Sequence, residues 1–321
     1  MAITLADMQA TTESDVDFNI IDETRRNSLL LDSLQFDQAV SPGTNQGTLN
    51  YAYTRQANRR AADTRQENHE YPAREATVER DDVDLIPIGA RFNLDRVYSH
   101  VGAVNQVAFQ MSEANKAAIA KFQDQIINGV GADFASAVPE IKGLDAILTG
   151  STTESFATGT TPWDFSNITS KEQALGVRRA LRKWLRSMDG TPTVLLVNTE
   201  GQAFLESIGD WTGYYTESTD DLDRNISRFG NTPFINPGVK DGSNDEIIAT
   251  SDEGVTSIYA VRLGLDSVHG VSVAGSPLVQ SWLPDFSSAG AVKPGEVEYG
   301  PAAIVAKRTR GAGVFRVKVE A

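Results

Sequence analysis

The side chains that could carry out chemistry in this 321-residue chain are sparse and scattered. Its three histidines, His69, His100 and His269, share no metal-site or catalytic-triad spacing, so we predict surface or half-buried histidines. The chain has no cysteine, which excludes a thiolate zinc site, an iron–sulfur cluster, a cysteine nucleophile and a disulfide scaffold. It also has no Gly-x-Ser-x-Gly elbow, phosphate loop or Gly-x-Gly-x-x-Gly motif. We therefore predict that the protein is not an enzyme and has no cofactor.

Carboxylates in two loops come closest to a metal-site pattern. An EF-hand opening is present at Asp221, Asp223 and Asn225, but Ile226 replaces its glycine and Thr232 its bidentate glutamate. This excludes an EF-hand. A looser cation site and plain solvated carboxylates both stay open for two sets of residues: Asp220, Asp221 and Asp223, and Asp241, Asp245 and Glu246.

Basic side chains line one side of a helix predicted to begin at Ser170, where Ser170 and Gln173 have the spacing of a capping box. Its apolar side carries Val177, Leu181, Trp184 and Met188, and its basic side carries Arg179, Arg182, Lys183 and Arg186. Two interpretations of the basic side stay open. It is a solvated or salt-bridged face that meets the acidic surface of a neighbouring copy, or it contacts a polyanion such as DNA.

The overall charge is acidic, with 43 Asp and Glu against 29 Lys and Arg and a formal net charge of −14. This composition gives no support to a cationic module that wraps nucleic acid by neutralising its phosphates. No segment approaches the roughly 18 apolar residues that span a bilayer, and the N-terminus has no signal-peptide pattern. We expect a soluble chain made in a cytoplasm, without membrane contact.

The elements that must position these side chains begin with two segments that cannot stabilise themselves. Residues 1–48 predict an extended arm, and alternation over 49–54 with a return segment over 75–80 predicts a two-stranded hairpin. A hairpin without a core is marginal in water, so we expect it to lie across another surface. Its candidate contact residues are Arg55, Arg59, Arg60, Arg65, Glu67, Glu70, Arg74, Glu79 and Arg80.

A long amphipathic helix is predicted over 99–129, with small or apolar residues every three or four positions and polar Asn115 as an exception. After the helix that begins at Ser170, we predict a helix over 200–208. Strands are predicted over 194–198, 246–249, 257–263, 268–273, 297–307 and 314–319, the last two forming a hairpin with a turn at 311–313.

This order of parts resembles the major capsid protein of tailed double-stranded DNA phages and related viruses, which has the Hong Kong 97-type fold. The local patterns that carry the resemblance lie at 143–148, 193–200, 233–236 and 258–264. The resemblance implies an α+β fold with an N-terminal arm (1–48), an extended β-hairpin loop (49–92), a peripheral domain (93–190 and 291–321) with a spine helix (99–129), and an axial domain (191–290).

The resemblance also implies function and partners. The chain would self-assemble into pentamers and hexamers of an icosahedral head around double-stranded DNA, in a virion capsid assembled in the host cytoplasm. Its other partners would be a portal protein, a separate scaffolding protein and a decoration protein. A fused scaffold looks too large for the residues ahead of the loop. Trp211, Tyr214 and Tyr215 would point at the fivefold and sixfold axes, or form a local aromatic cluster.

Two further expectations concern alternatives and covalent chemistry. Some capsid proteins of this kind join an extended-loop lysine to an asparagine of a neighbour, but residues 49–92 contain no lysine, so we predict that this bond is absent from the loop. The nearest alternative function is an encapsulin nanocompartment shell, which has the same fold. A soluble α/β hydrolase or binding protein is the second alternative, and the arm that cannot stabilise itself disfavours it.

Overall fold

The structure is a computed structural model that describes residues 29–40, 49–57, 61–99, 105–213, 215–219 and 225–319. Within these ranges the helices are α1 (Leu29–Ser33), α2 (Gln106–Asn128), α3 (Leu144–Leu148), α4 (Lys171–Leu185) and α5 (Thr199–Thr212), with a 3-10 helix at Arg96–Ser99. The strands are β1 (Phe36–Val40), β2 (Asn50–Gln56), β3 (Val78–Asp84), β4 (Ile86–Asp95), β5 (Glu154–Ser155), β6 (Trp163–Asp164), β7 (Val194–Leu196), β8 (Tyr215–Thr219), β9 (Asn225–Phe229), β10 (Thr232–Ile235), β11 (Val255–Val261), β12 (Val268–Val273), β13 (Val279–Trp282), β14 (Val292–Ala306) and β15 (Ala312–Lys318).

The first sheet is built around β14, which has 15 residues. Its strand order is β1-β12-β14-β13. Outside this order, β4 also pairs with β14. Alternate residues of β14 face opposite sides of the sheet, as the two-residue period of a strand requires. Ile304 joins the core under α2, whereas Ala303 and Val305 join a smaller cluster on the opposite face.

The long helix α2 packs against β4 and β14 through the predicted face, which includes buried Ala118, Phe122 and Ile126. The predicted start at residue 99 is wrong. The helix begins at Gln106 because the Asn105 side chain caps it, accepting a hydrogen bond from the Ala108 amide at 3.2 Å. Its 23 residues make a rod of roughly 35 Å.

The second sheet has the order β5-β15-β11-β7-β10-β9-β8, and β6 also pairs with β15. Its centre, β7, is buried along its whole length, in agreement with the apolar run that predicted it. Helices α4 and α5 contribute apolar side chains to its main core, which includes Trp184, Phe204 and Phe315. The rings of Trp163 and Phe315 stack there with a centroid distance of 5.7 Å.

Two predictions about the C-terminal half are wrong. The last two strands do not form a hairpin, because β15 pairs with β11 over seven residues whereas residues 302–306 of β14 already pair with β12. The segment between them crosses from one sheet to the other. Residues 246–249 do not form a strand either: they make an isolated bridge between Val239 and Glu246, and their apolar pattern reflects burial of Ile247 and Ile248 in the core beneath α2. The domain boundaries given above stay a prediction.

Candidate functional site

The β2–β3 hairpin is a separate two-stranded sheet, registered from Asn50 opposite Asp84 to Gln56 opposite Val78. Among its described residues, the hairpin is anchored to the first sheet through its base. There Tyr51 and Tyr53 pack on the small cluster of the first sheet, beside buried Leu85. Every residue from 64 to 80 is exposed. The pairing confirms the predicted hairpin, although its return strand begins at Val78, three residues later than the predicted segment 75–80.

Charged side chains of both signs follow this hairpin. Arg55 reaches across to Asp81 at 2.9 Å and to Glu79 at 3.6 Å. Nearer the tip, Arg74 pairs with Asp63. Exposed pairs of this kind contribute about 0–1 kcal/mol each.

Other predicted contact residues of the hairpin are exposed. Arg65 lies over the Tyr71 ring, with 5.5 Å between the guanidinium carbon and the ring centroid. Glu67, Glu70 and Arg80 have no ion-pair partner among the described residues. Arg59 and Arg60 lie outside the described residues. The hairpin therefore exposes charge of both signs, and its role as a subunit contact stays a prediction.

Helix α4 separates its side chains as the sequence predicts. The capping box is present, with Ser170 Oγ accepting from the Gln173 amide at 3.3 Å and Gln173 Oε1 accepting from the Ser170 amide at 3.2 Å. The apolar side is buried: it comprises Val177, Leu181, Trp184 and, just beyond the helix, Met188. The basic side is exposed: it comprises Arg179, Arg182, Lys183 and Arg186.

A basic cleft of about 690 Å³ lies where α4 ends, next to the end of β2 and the segment between β14 and β15. Five cationic side chains and one carboxylate line it: Arg55, Arg186, Lys307, Arg308, Arg310 and Asp189. Sequence reasoning missed this cleft because its charges come from three distant segments, and the wrong hairpin prediction misplaced residues 307–310. The cluster of basic residues Lys307, Arg308 and Arg310 is the signal that could have found it.

The aromatic residues predicted at the symmetry axes are described only in part. Helix α5 ends at Thr212, followed by Gly213 with a positive φ of 62°, and Trp211 is exposed. Tyr214 lies outside the described residues, and Tyr215 begins β8, a strand at the end of the second sheet. The aromatic cluster and the axis contact both stay predictions.

Of the two interpretations left open for Asp241, Asp245 and Glu246, the structure does not support the cation site. Among the described residues, no three His, Asp or Glu side chains are grouped so that they could hold a metal ion. Instead the Glu246 carboxylate accepts a hydrogen bond from the Thr199 amide at 3.0 Å, and so caps α5. Asp220, Asp221 and Asp223 lie outside the described residues.

Two titratable groups, half-buried Arg316 and buried His269, are structural. Arg316 pairs with Asp145 at 2.8 Å and with Glu154 at 3.1 Å, joining α3 and β5 to β15. His269 is fully buried in β12, so the prediction of a surface or half-buried residue is wrong for it, while His69 is exposed as predicted and His100 is not described. Burial lowers the pKa of His269, with a further contribution from Lys307.

In the part of the chain that the structure describes, no helix is long and apolar enough to cross a membrane.

No protein-family profile and no curated protein sequence matches the chain. Solved structures with the same fold do match. A structure from Mycobacterium phage Adephagia has a TM-score of 0.59 at 11% identity, covering 100% of both chains. The capsid of Myoviridae phage XM1 has a TM-score of 0.56 at 10% identity, covering 94% of this chain and 96% of that one.

A third match is the holo-SrpI encapsulin complex from Synechococcus elongatus PCC 7942, with a TM-score of 0.53 at 11% identity, covering 100% of this chain and 96% of that one. The shared architecture spans 94% or more of the chain in all three cases. The chain therefore has the Hong Kong 97-type fold, and the α+β fold prediction is confirmed.

Proposed function

We propose that the protein is a major capsid protein that self-assembles into the pentamers and hexamers of an icosahedral head around double-stranded DNA. The observation that carries this proposal is the hairpin. It is exposed from residue 64 to residue 80 and has no core of its own. The fold of the chain matches a phage capsid over 94% of its length and an encapsulin over all of it. An isolated two-stranded hairpin is marginal in water, so a surface of another copy is its natural support.

The role of this protein in the head would be structural and not catalytic. The charged hairpin residues, with Arg55 and Arg74 among them, would lie across an adjacent copy, and repetition of that heterologous contact closes a ring. The turn region around Trp211 and Tyr215 would meet at the ring centre. The exposed basic side of α4 would contact an acidic surface of a neighbouring copy or the packaged DNA.

The remaining partners follow from the same proposal. A head filled with DNA needs a portal protein for entry, and a separate scaffolding protein and a decoration protein complete the proposed set. The protein would then reside in the virion capsid after assembly in the host cytoplasm.

An encapsulin-like nanocompartment shell is the second candidate function. The match to the holo-SrpI encapsulin complex favours it, because that likeness also spans the whole chain. The two candidates share a fold and differ in what the shell contains.

Cryo-electron microscopy of the purified protein tests the proposal. We expect closed shells with fivefold and sixfold clusters of the chain, and particles isolated from the native source should carry a portal, a tail and DNA. Small shells that are empty or loaded with enzyme would favour the nanocompartment. A stable monomer at every concentration and salt condition would contradict both. A second test removes the hairpin tip. A variant with residues 61–76 replaced by a short Gly-Ser turn should fold but form no shells.

A further inference from the structure

The basic cleft has cationic side chains that its own chain does not neutralise. Arg308 pairs with Asp189 and, at 3.2 Å, with Asp266. Arg186 and Arg310 have no side-chain partner among the described residues, although both line the cleft. Arg55 pairs with Asp81 and Glu79 of the hairpin, which leaves Arg186, Lys307 and Arg310 without a carboxylate partner among the described residues. In a chain with a net charge of −14, this cationic concavity is the reverse of the average surface. Such a concentration of like charge is favourable when an anionic group occupies it.

The N-terminal arm has the complementary charge. Residues 1–24 contain six acidic side chains and no lysine or arginine. The acidic residues are Asp7, Glu13, Asp15, Asp17, Asp22 and Glu23. The hairpin tip is a poorer match, because residues 61–77 carry Arg65 and Arg74 among their acids.

The position of the cleft favours the arm of another copy. In its own chain, Leu30 of α1 and Leu34 directly after it pack into the core on the α2 face of the first sheet. Arg55 comes from the hairpin, whose base packs on the opposite face of that sheet. The described residues that directly follow the acidic segment, those of α1, therefore lie on the face of their own sheet away from the hairpin base.

The size of the cleft favours a peptide over a DNA duplex. A protein that holds a duplex contacts a continuous phosphate backbone and a major groove about 12 Å wide. The cleft is instead a local concavity of about 690 Å³. Carboxylates on an extended peptide can reach guanidinium groups inside it and form paired hydrogen bonds. The exposed basic side of α4, with Arg179, Arg182 and Lys183, is the better surface for a duplex.

We propose that the basic cleft binds the acidic segment 7–23 of the arm of a neighbouring copy, with Arg186 and Arg310 as its principal contacts. This inference rests on the proposed assembly into shells. It assigns the arm a specific acceptor and adds an electrostatic link from each copy to the next.

Disulfide trapping tests the inference, because the chain has no native cysteine and so gives no background. One variant carries Ser14→Cys in the arm and Thr309→Cys, whose side chain is exposed in the cleft. Its matched control carries Ser14→Cys and Ser136→Cys, at an exposed position outside the cleft. Assembled particles are oxidised and run on a denaturing gel without reductant. We expect dimers and longer chains at least fivefold more abundant with Thr309→Cys than with the control.

Charge exchange provides a second readout in the same particles. Adding Arg186→Glu and Arg310→Glu should reduce the linked species at least fivefold, and Asp15→Lys with Asp17→Lys should restore them. Equal linking in cleft and control variants, in particles that assemble, would overturn the inference and leave the proposed function intact. A link within one chain would overturn the assignment to a neighbour. A loss of DNA content without loss of linking after Arg186→Glu and Arg310→Glu would identify nucleic acid as the occupant. Failure of the unmodified chain to form particles would contradict the proposed function, and the inference with it.

Discussion

At the scale of single residues, Arg316 joins three elements that are far apart in the sequence. Its guanidinium contacts Asp145 in α3, Glu154 in β5 and, through Nη1, the Ser257 hydroxyl at 2.8 Å in β11. The Glu154 side chain is only 8% exposed, so removal of Arg316 leaves a nearly buried carboxylate without its partner. Breaking a buried pair in this way is strongly destabilising.

We therefore predict that Arg316→Met lowers the free energy of unfolding by about 2–4 kcal/mol. Urea unfolding followed by circular dichroism measures this, at protein concentrations where light scattering detects no particles. The control Arg179→Met removes an exposed guanidinium and should change stability by less than about 0.5 kcal/mol. Equal effects of the two substitutions would show that the network adds nothing.

His269 predicts a pH dependence of stability. Burial lowers its pKa, and Lys307 lowers it further, while Asp37 and Asp266 oppose the shift. The unfolded chain takes up a proton below about pH 6.5, whereas the folded chain keeps His269 neutral to lower pH. Its contribution to stability is therefore present above about pH 6.5 and is lost as the pH falls towards the pKa of the folded state.

We predict that the urea midpoint falls less between pH 7.5 and pH 5.5 in His269→Leu than in the unmodified chain. The exposed His69→Leu serves as the control and should follow the unmodified profile. Carboxylates contribute equally to all three chains over this range. Three identical pH profiles would exclude a role for His269 in the pH dependence.

At the scale of elements, the sequence patterns correctly predicted the features that depend on residues close together in the chain. Apolar periodicity predicted the buried faces of α2 and α4, and the polar exception Asn115 accepts a hydrogen bond from the Tyr299 hydroxyl at 2.7 Å. The errors lie where distant segments decide the outcome. The partner of β15 is set by competition between β11 and β14 for pairing, which no local window contains.

The candidate site likewise has a part that the sequence predicted and a part that it did not. The charged hairpin and the basic side of α4 are continuous in sequence and were predicted. The basic cleft joins Arg55, Arg186 and Arg310, which meet only after the end of β2, α4 and the β14–β15 segment have packed together.

The start of α2 gives a prediction at this scale. Asn105→Ala removes the side-chain acceptor of the Ala108 amide and should lower the free energy of unfolding by about 1 kcal/mol. Asn105→Asp keeps an acceptor at the helix N-terminus and should be close to neutral. Urea unfolding of both variants measures the difference. An alanine variant as stable as the unmodified chain would show that the cap does not determine where the helix begins.

At the scale of the whole molecule, the composition limits how a shell can be held together. The chain has no cysteine, and residues 49–92 have no lysine. We therefore predict that boiled particles run on a reducing denaturing gel as a single band near 34.7 kDa. Mass spectrometry of tryptic peptides should find no cross-linked peptide from the hairpin. A covalent ladder that maps to the hairpin would contradict this prediction.

A non-covalent shell of copies that each carry a net charge of −14 should have an optimum in salt concentration. At 10 mM salt the screening length is about 30 Å, so the copies repel one another over the distance between neighbouring subunits. Near 150 mM it is about 8 Å, which suppresses this long-range repulsion while close ion pairs persist. At 1 M it is about 3 Å, and exposed pairs such as those of the hairpin weaken as well.

We therefore predict that the yield of shells, measured by light scattering and electron microscopy, is higher near 150 mM NaCl than at 10 mM or 1 M. Sucrose at matched osmolarity controls for effects other than screening and should not reproduce the profile. The variant Arg186→Glu with Arg310→Glu raises the repulsion and removes attractive contacts, so its optimum should move to higher salt with a lower maximum. A yield that rises steadily up to 1 M would mean that net repulsion alone governs assembly, and that the arginine–carboxylate contacts contribute nothing to it.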